Sequence, residues 1–281
     1  MDDGMTDDGA DKARALTELR DRIDTIDAEM HRLLMERGTV IDALIEAKGT
    51  TQGGAAYRPA READMMRRML ARHAGRMPRT TVEHIWREII TNFTNLQAPF
   101  DVTADVSTQA GAMRDLVRFM FGFSVAMVPV EGADAVIARV TASGGIGVIP
   151  RTVTDRWWRS LTPPDAPKLM AVLPFIRIPH RPADLPAFVL APPLADPSEP
   201  ELRVYAVRSA ALPAIDTDTA VLVTAPDGQD SLLADAGARS LAALSAAWNT
   251  SDIVPVGGMA VPIDADGARL PLTAICEPDP S

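Results

Sequence analysis

The most regular pattern in the chain lies between residues 16 and 48. Leu16, Leu19, Ile23, Ile26, Met30, Leu33, Val40 and Leu44 recur at alternating spacings of three and four. This is the seam of a long helix that packs against other helices. One seam position is polar: the series expects an apolar residue at 37 and finds Arg37, while Lys48 follows eleven residues later. A cation on a packing face requires an anion, and no acidic run nearby supplies one.

The pattern continues as two shorter helices. After a Gly- and Thr-rich loop (Gly49, Thr50, Thr51, Gln52, Gly53, Gly54), Pro59 suits the first turn of a helix with Met65, Met66, Met69 and Leu70 on its apolar face, ending at Gly75. Pro78 opens a third helix, whose expected buried stripe is Val82, Ile85, Trp86, Ile89, Ile90, Phe93 and Leu96, and Pro99 ends it. Beyond Pro99 the period changes. Short β-branched runs at 125–130, 146–149, 169–173, 204–207 and 220–224 alternate with helical segments at 113–121 and 133–142, the signature of an α/β domain. A strand, a helix over 230–247 and two further strands at 254–261 and 270–276 complete the chain. The domains predicted are a disordered acidic tail at 1–12, a helical domain at 13–98 and an α/β domain at 99–281, with a small module from about residue 217.

Composition narrows the function classes. The chain has 281 residues, 47% of them hydrophobic, with mean hydropathy near zero, as expected for an ordinary globular protein of two domains. A net charge of −10 disfavours nucleic-acid binding, even though Arg58, Arg61, Arg67, Arg68, Arg72, Arg76, Arg79 and Arg87 cluster locally; such charges usually form a solvated helix face. Cys276 is the single cysteine, so there is no intramolecular disulfide, and the four histidines lack metal-ligand spacing. With no apolar leader and no run of eighteen apolar residues, a cytoplasmic protein that binds no membrane is expected.

Three cations mark the long helix. Arg20 and Lys48 share one stripe, and Arg37 lies on the neighbouring seam. Helical rise separates Arg20 from Arg37 by roughly 25 Å, but Arg37 from Lys48 by only about 16 Å. Arg37 and Lys48 could therefore hold one small anion, and Arg20 could reach it only from a second, antiparallel copy of the helix. Each cation taken alone reads as solvated surface. Trp157 and Trp158 read as packing residues, and Gly144, Gly145 and Gly147 as a tight turn into a strand.

The combination resembles the all-helical chorismate mutase family. The resemblance covers residues 13–98 and is carried by Leu19-Arg20-Asp21-Arg22-Ile23-Asp24-Thr25-Ile26-Asp27, Leu33-Leu34-Met35-Glu36-Arg37, Glu46-Ala47-Lys48, Arg58-Pro59-Ala60-Arg61-Glu62-Ala63 and Ile85-Trp86-Arg87-Glu88-Ile89-Ile90, closing at Gln97. It implies an intertwined homodimer of three-helix protomers converting chorismate to prephenate, in aromatic amino acid biosynthesis, without metal or cofactor. By position, Arg37 and Arg20 of the second copy would bind the two carboxylates. Lys48 and Gln97 would face the ether oxygen, Arg61 would position the ligand, and Glu62 would accept from its hydroxyl. Two positions depart from the family: Arg58 stands where many members have an acidic residue, and Phe93 where a small hydroxyl residue is common.

The second half resembles the prephenate dehydratase family through Asp115-Leu116-Val117-Arg118-Phe119-Met120-Phe121-Gly122 and Gly144-Gly145-Ile146-Gly147-Val148-Ile149-Pro150. The family's Thr-Arg-Phe triplet is absent; the nearest match is Leu202-Arg203-Val204. A reduced or diverged relative is implied, and the last part resembles a small module that binds an aromatic amino acid effector. An isochorismate pyruvate-lyase of the same helical fold, or an impaired regulatory protein, are the alternative functions.

Overall fold

A computed structural model describes residues 5–48, 57–194, 199–210 and 217–276. The chain divides into two compact units, Met1–Thr51 and Gln52–Ser281.

Among its described residues the first unit is a single helix, α1 (Met5–Lys48). It begins at Met5, inside the stretch expected as an acidic tail. Leu16, Leu19, Ile23, Ile26, Met30, Leu33 and Val40 are each roughly half exposed, from 46% to 63%. A seam of that length left in water is a large apolar surface for one protomer.

The second unit holds α2 (Pro59–Arg72), α3 (Arg79–Gln97) and a nine-stranded sheet with its helices. The strands are β1 (Val102–Asp105), β2 (Met127–Val130), β3 (Ile146–Pro150), β4 (Lys168–Leu173), β5 (Ala187–Ala191), β6 (Leu202–Arg208), β7 (Thr219–Thr224), β8 (Asp230–Asp235) and β9 (Asp252–Met259), ordered β2-β1-β3-β5-β4-β9-β6-β8-β7. β1 runs parallel to β2 and β3, with α4 (Ala110–Phe121) and α5 (Ala133–Ser143) as crossovers, while β6, β8, β7 and β9 are antiparallel. Along β5, Ala187, Val189 and Ala191 join the core under α4, and Phe188 and Leu190 join the core under α5. Alternate side chains of a strand point to opposite faces, so the two helices cover opposite sides of the sheet.

Gly144 closes α5 with φ +75°, and β3 starts two residues later, which is the expected tight turn. Trp157 and Trp158 are buried in a 3-10 turn (Trp157–Leu161), their rings edge to face at 5.8 Å, and Trp157 also meets Phe188. The Leu202-Arg203-Val204 triplet is a length of β6, with Arg203 turned outward to Glu199.

Three sequence expectations are corrected. Residues 230–235 form β8 and not the start of a helix; only α6 (Leu241–Trp248) is helical there. Pairing on both sides with β6 and β7 overrides the helical tendency of Leu232, Leu233 and Ala234. The expected last strand is a short helix, α7 (Leu272–Cys276). The third correction concerns α3. Of its expected buried stripe Ile90 is buried, with Val82 and Trp86 packed against the same cluster, but Ile85 and Leu96 are exposed, and Glu83, Arg87, Thr91 and Thr94 are buried as well. The helix turns a polar face toward α4 and the sheet, and it does so because that face finds partners of opposite charge.

Candidate functional site

The cations expected on the long helix are all on α1. Arg20 is exposed, Arg37 is partly buried, and Lys48 is the last helical residue, its side chain lying outside the described residues, as does the Gly-rich loop after it. The remaining expected site residues belong to the second unit. Arg58 precedes α2 and its carbonyl accepts from the Glu62 N–H at 3.1 Å, while Arg61 is exposed on α2. Phe93 and Gln97 are partly buried on α3, and the Gln97 amide Nε2 donates to the carbonyl of Phe93 at 2.9 Å.

Glu62 faces the opposite way from its neighbour Arg61. Consecutive helical residues lie about 100° apart, so only one of the two can turn toward the sheet. Its carboxylate accepts from Arg87 Nη1 at 3.1 Å, and the side chain is 16% exposed. Arg87 Nε lies 3.7 Å from Glu83, one turn earlier on α3, and Glu83 in turn accepts from Arg181 Nη2 at 3.1 Å. Arg181, on the segment between β4 and β5, also donates to the carbonyl of Ile176 and stands 5.1 Å from the centre of the Phe119 ring. The four charges alternate in sign, Glu62, Arg87, Glu83, Arg181. Such alternation is what allows charged groups to be buried at all, since each isolated ion would lose its hydration without return.

A small cavity opens beside this line. Tyr57, Pro59, Glu62, Ala63, Arg87, Met170, Ala171, Leu173, Phe175 and Ala260 line about 30 Å³, enough for one or two waters. Burial is felt by its titratable walls. It raises the pKa of Glu62 from its ordinary value, against the pull of the Arg87 charge. Burial also pushes the Tyr57 phenol up, and the Glu62 carboxylate adds to the effect.

Other polar contacts bind α2 and α3 to the rest of this unit. His84 stacks on Phe119 with ring centres 4.8 Å apart, Glu88 accepts from the Phe123 N–H, and Arg67 bonds Glu201 and the carbonyl of Val261. Sequence reading missed Glu83, Arg87, Tyr57 and Arg181 as parts of the site. One signal was available: Glu83 and Arg87 stand four residues apart, the spacing of a helical ion pair. Arg181 left none, because its partner is 98 residues away in the chain. Among the described residues, no group of His, Cys, Asp and Glu is arranged to hold a metal ion, and no helix is long and apolar enough to cross a membrane.

Comparison with known proteins decides the reading of the helices. Residues 19–98 match the family chorismate mutase type II. The matched segment runs from α1 through α3 and includes Arg20, Arg37, Lys48, Arg61, Glu62 and Gln97. Relatives named bifunctional chorismate mutase/prephenate dehydratase share 40% identity over 83 residues (Neisseria gonorrhoeae; 30% of this chain, 22% of the relative) and 31% over 144 residues (Pseudomonas aeruginosa; 48% and 38%). A third, from Stutzerimonas stutzeri, shares 27% over 148 residues, 50% of this chain and 39% of its own length. The longer matches exceed the mutase segment and so include part of the α/β region. The chain thus matches well under half the length of these relatives. No solved structure matches it.

Proposed function

We propose that the chain is a chorismate mutase working as a homodimer joined through α1, with a site built from both copies. The observation that carries this is the mutase segment at residues 19–98, with Arg20, Arg37 and Lys48 at the spacing that a dianion bound between two antiparallel helices requires. The exposed apolar seam of α1 supports the dimer, because its half-exposed Leu, Ile and Met side chains need a partner surface.

In this reading Arg37 and Arg20 of the second copy hold the two carboxylates of chorismate, and Lys48 and Gln97 face the ether oxygen. Rearrangement to prephenate breaks the C–O bond of the ether as a C–C bond forms within the same molecule. It needs no nucleophile and no proton transfer. The site's task is to hold the substrate compactly and to stabilise negative charge growing on the ether oxygen, which preorganised cations and an amide donor can do. Arg61 assists in positioning, and Glu62 meets the substrate hydroxyl. Arg58 contributes through its backbone, and Phe93 narrows the pocket. The α/β region is a reduced or diverged dehydratase relative, and its Leu202-Arg203-Val204 offers no hydroxyl where that family's Thr-Arg-Phe has one.

The test is disappearance of chorismate absorbance. Arg37→Ala and Lys48→Ala should each abolish turnover; wild-type rates in both would overturn the reading. A mixture of Arg20→Ala and Arg37→Ala chains should recover part of the activity, because one of the two sites in a mixed dimer is intact.

A second reading, a regulatory protein that binds chorismate or an aromatic amino acid without turnover, is favoured by one observation. Glu62 is already engaged by Arg87. Absence of turnover, with a thermal shift on adding phenylalanine, tyrosine or tryptophan, would support it. Pyruvate release from isochorismate would instead mark a lyase of the same helical fold.

A further inference from the structure

We propose that Arg181, contributed by the α/β region, is a positioning residue for the helical site, acting through Glu83 and Arg87 to set the carboxylate of Glu62. The inference deepens the mutase reading and rests on it for its kinetic consequence, although the relay itself does not.

Arg87 has two carboxylates to serve. Its Nη1 is 3.1 Å from Glu62, while its Nε is 3.7 Å from Glu83, beyond a good hydrogen bond. This uneven division holds because Glu83 receives its short bond from Arg181 at 3.1 Å. Glu83 has no exposure to water, so it cannot substitute solvent for a lost partner. Without Arg181, the nearest cation to Glu83 is Arg87, and a fully buried carboxylate outcompetes one that borders a cavity. Arg87 then turns toward Glu83 and Glu62 is released. Arg181 is suited to this post because it is itself held by the Ile176 carbonyl and the Phe119 ring, which belong to the sheet region. One support of the helical site is therefore supplied from about 80 residues beyond the matched segment's end, within the compact unit that α2 and α3 share with the sheet.

The experiment uses the full chain. Arg181→Met should raise the KM for chorismate about tenfold and change kcat by less than about threefold, the pattern of a displaced binding group rather than of a damaged fold. Adding Glu83→Gln should bring KM back to within about threefold of wild type, because a neutral amide no longer draws Arg87 away. In a Glu62→Gln background, Arg181→Met should leave KM unchanged. If Arg181→Met does not fold, Arg181→Lys serves, since one ammonium cannot hold both Glu83 and the Ile176 carbonyl in the geometry of the guanidinium; it should show the same split at smaller size. Independently of turnover, thermal unfolding of the Arg181 and Glu62 single and double variants should be non-additive by at least about fivefold in the unfolding constant. Additive unfolding, or KM effects of Arg181 and Glu62 that multiply, would overturn the relay. A wild-type chain that does not convert chorismate would overturn the mutase reading, and the unfolding cycle alone would then decide the relay.

Discussion

Arg67 on α2 clasps Glu201, 134 residues further along the chain, with two parallel hydrogen bonds, Nη1 to Oε1 at 2.9 Å and Nη2 to Oε2 at 2.7 Å. The fork geometry is the strong form of the ion pair. Glu201 also accepts from the Val261 N–H and pairs with Arg269, so one carboxylate ties α2 to the strand-edge segments on either side of it.

Glu201→Gln should therefore destabilise the chain by about 1–3 kcal/mol at neutral pH, measured by urea unfolding. The pH dependence has a definite sign. Burial alone would raise the Glu201 pKa, but the bonds from Arg67 and Val261 and the nearby arginine charges outweigh it, and the net shift is downward. Stability from this group is complete above the ordinary carboxylate value and is lost as pH falls through the lower folded value. The cost of Glu201→Gln should shrink in acid.

Glu62 has the opposite sign. Its folded pKa lies above the unfolded one because burial disfavours the charge. Its contribution is fully present below the unfolded value of about 4.5 and is lost as pH rises through the folded value. The stability of Glu62→Gln relative to wild type should consequently improve as pH rises above 4.5, in unfolding curves recorded at a series of pH values. A flat difference would refute the buried, desolvated placement of Glu62.

Gly147 on β3 lies close against α5. A Cβ there would meet Val136 Cγ1 at 2.7 Å and Val140 Cγ2 at 2.9 Å. Gly147→Val should destabilise by about 1–3 kcal/mol through overpacking, with a smaller loss for Gly147→Ala. Thermal unfolding of the two variants reads the order directly.

The α1 seam supplies a prediction about assembly. Leu19→Glu together with Ile26→Glu places like charges on the proposed dimer surface, and sedimentation velocity should find monomers where the wild type gives dimers. Turnover should disappear with the dimer, because Arg20 is then unable to reach the site of a second copy. A dimer that persists would refute the part assigned to α1.

Much of the architecture was legible in order of appearance. The spacing of Leu16 through Leu44 marked α1, the prolines at 59 and 78 marked the starts of α2 and α3, and the β-branched runs marked β2, β3, β4, β6 and β7. These are local signals, each contained within one element. The errors fell where a partner distant in sequence decides. β8 is a strand because β6 and β7 flank it, and residues that could form a helix lose that choice once both edges are paired. The buried face of α3 followed the same logic. Val82, Ile85, Trp86, Ile89, Ile90, Phe93 and Leu96 form the apolar stripe by composition, and Ile90 is buried as expected; yet Ile85 and Leu96 are exposed while Glu83 and Arg87 are buried, because Arg181 and Glu62 neutralise them.

By itself, then, the sequence determined the three helices of the mutase segment, the register of Arg20, Arg37 and Lys48, and the change of texture after Pro99. These follow from periodicity, which needs nothing beyond neighbouring residues. The tertiary structure alone decided that Glu62 and Arg61 part company, that α3 turns its charges inward, and that an arginine of the α/β region stands behind them. The physical reason is desolvation. A charge can be buried only where an opposite charge from elsewhere in the chain meets it, and only the folded molecule fixes which one does.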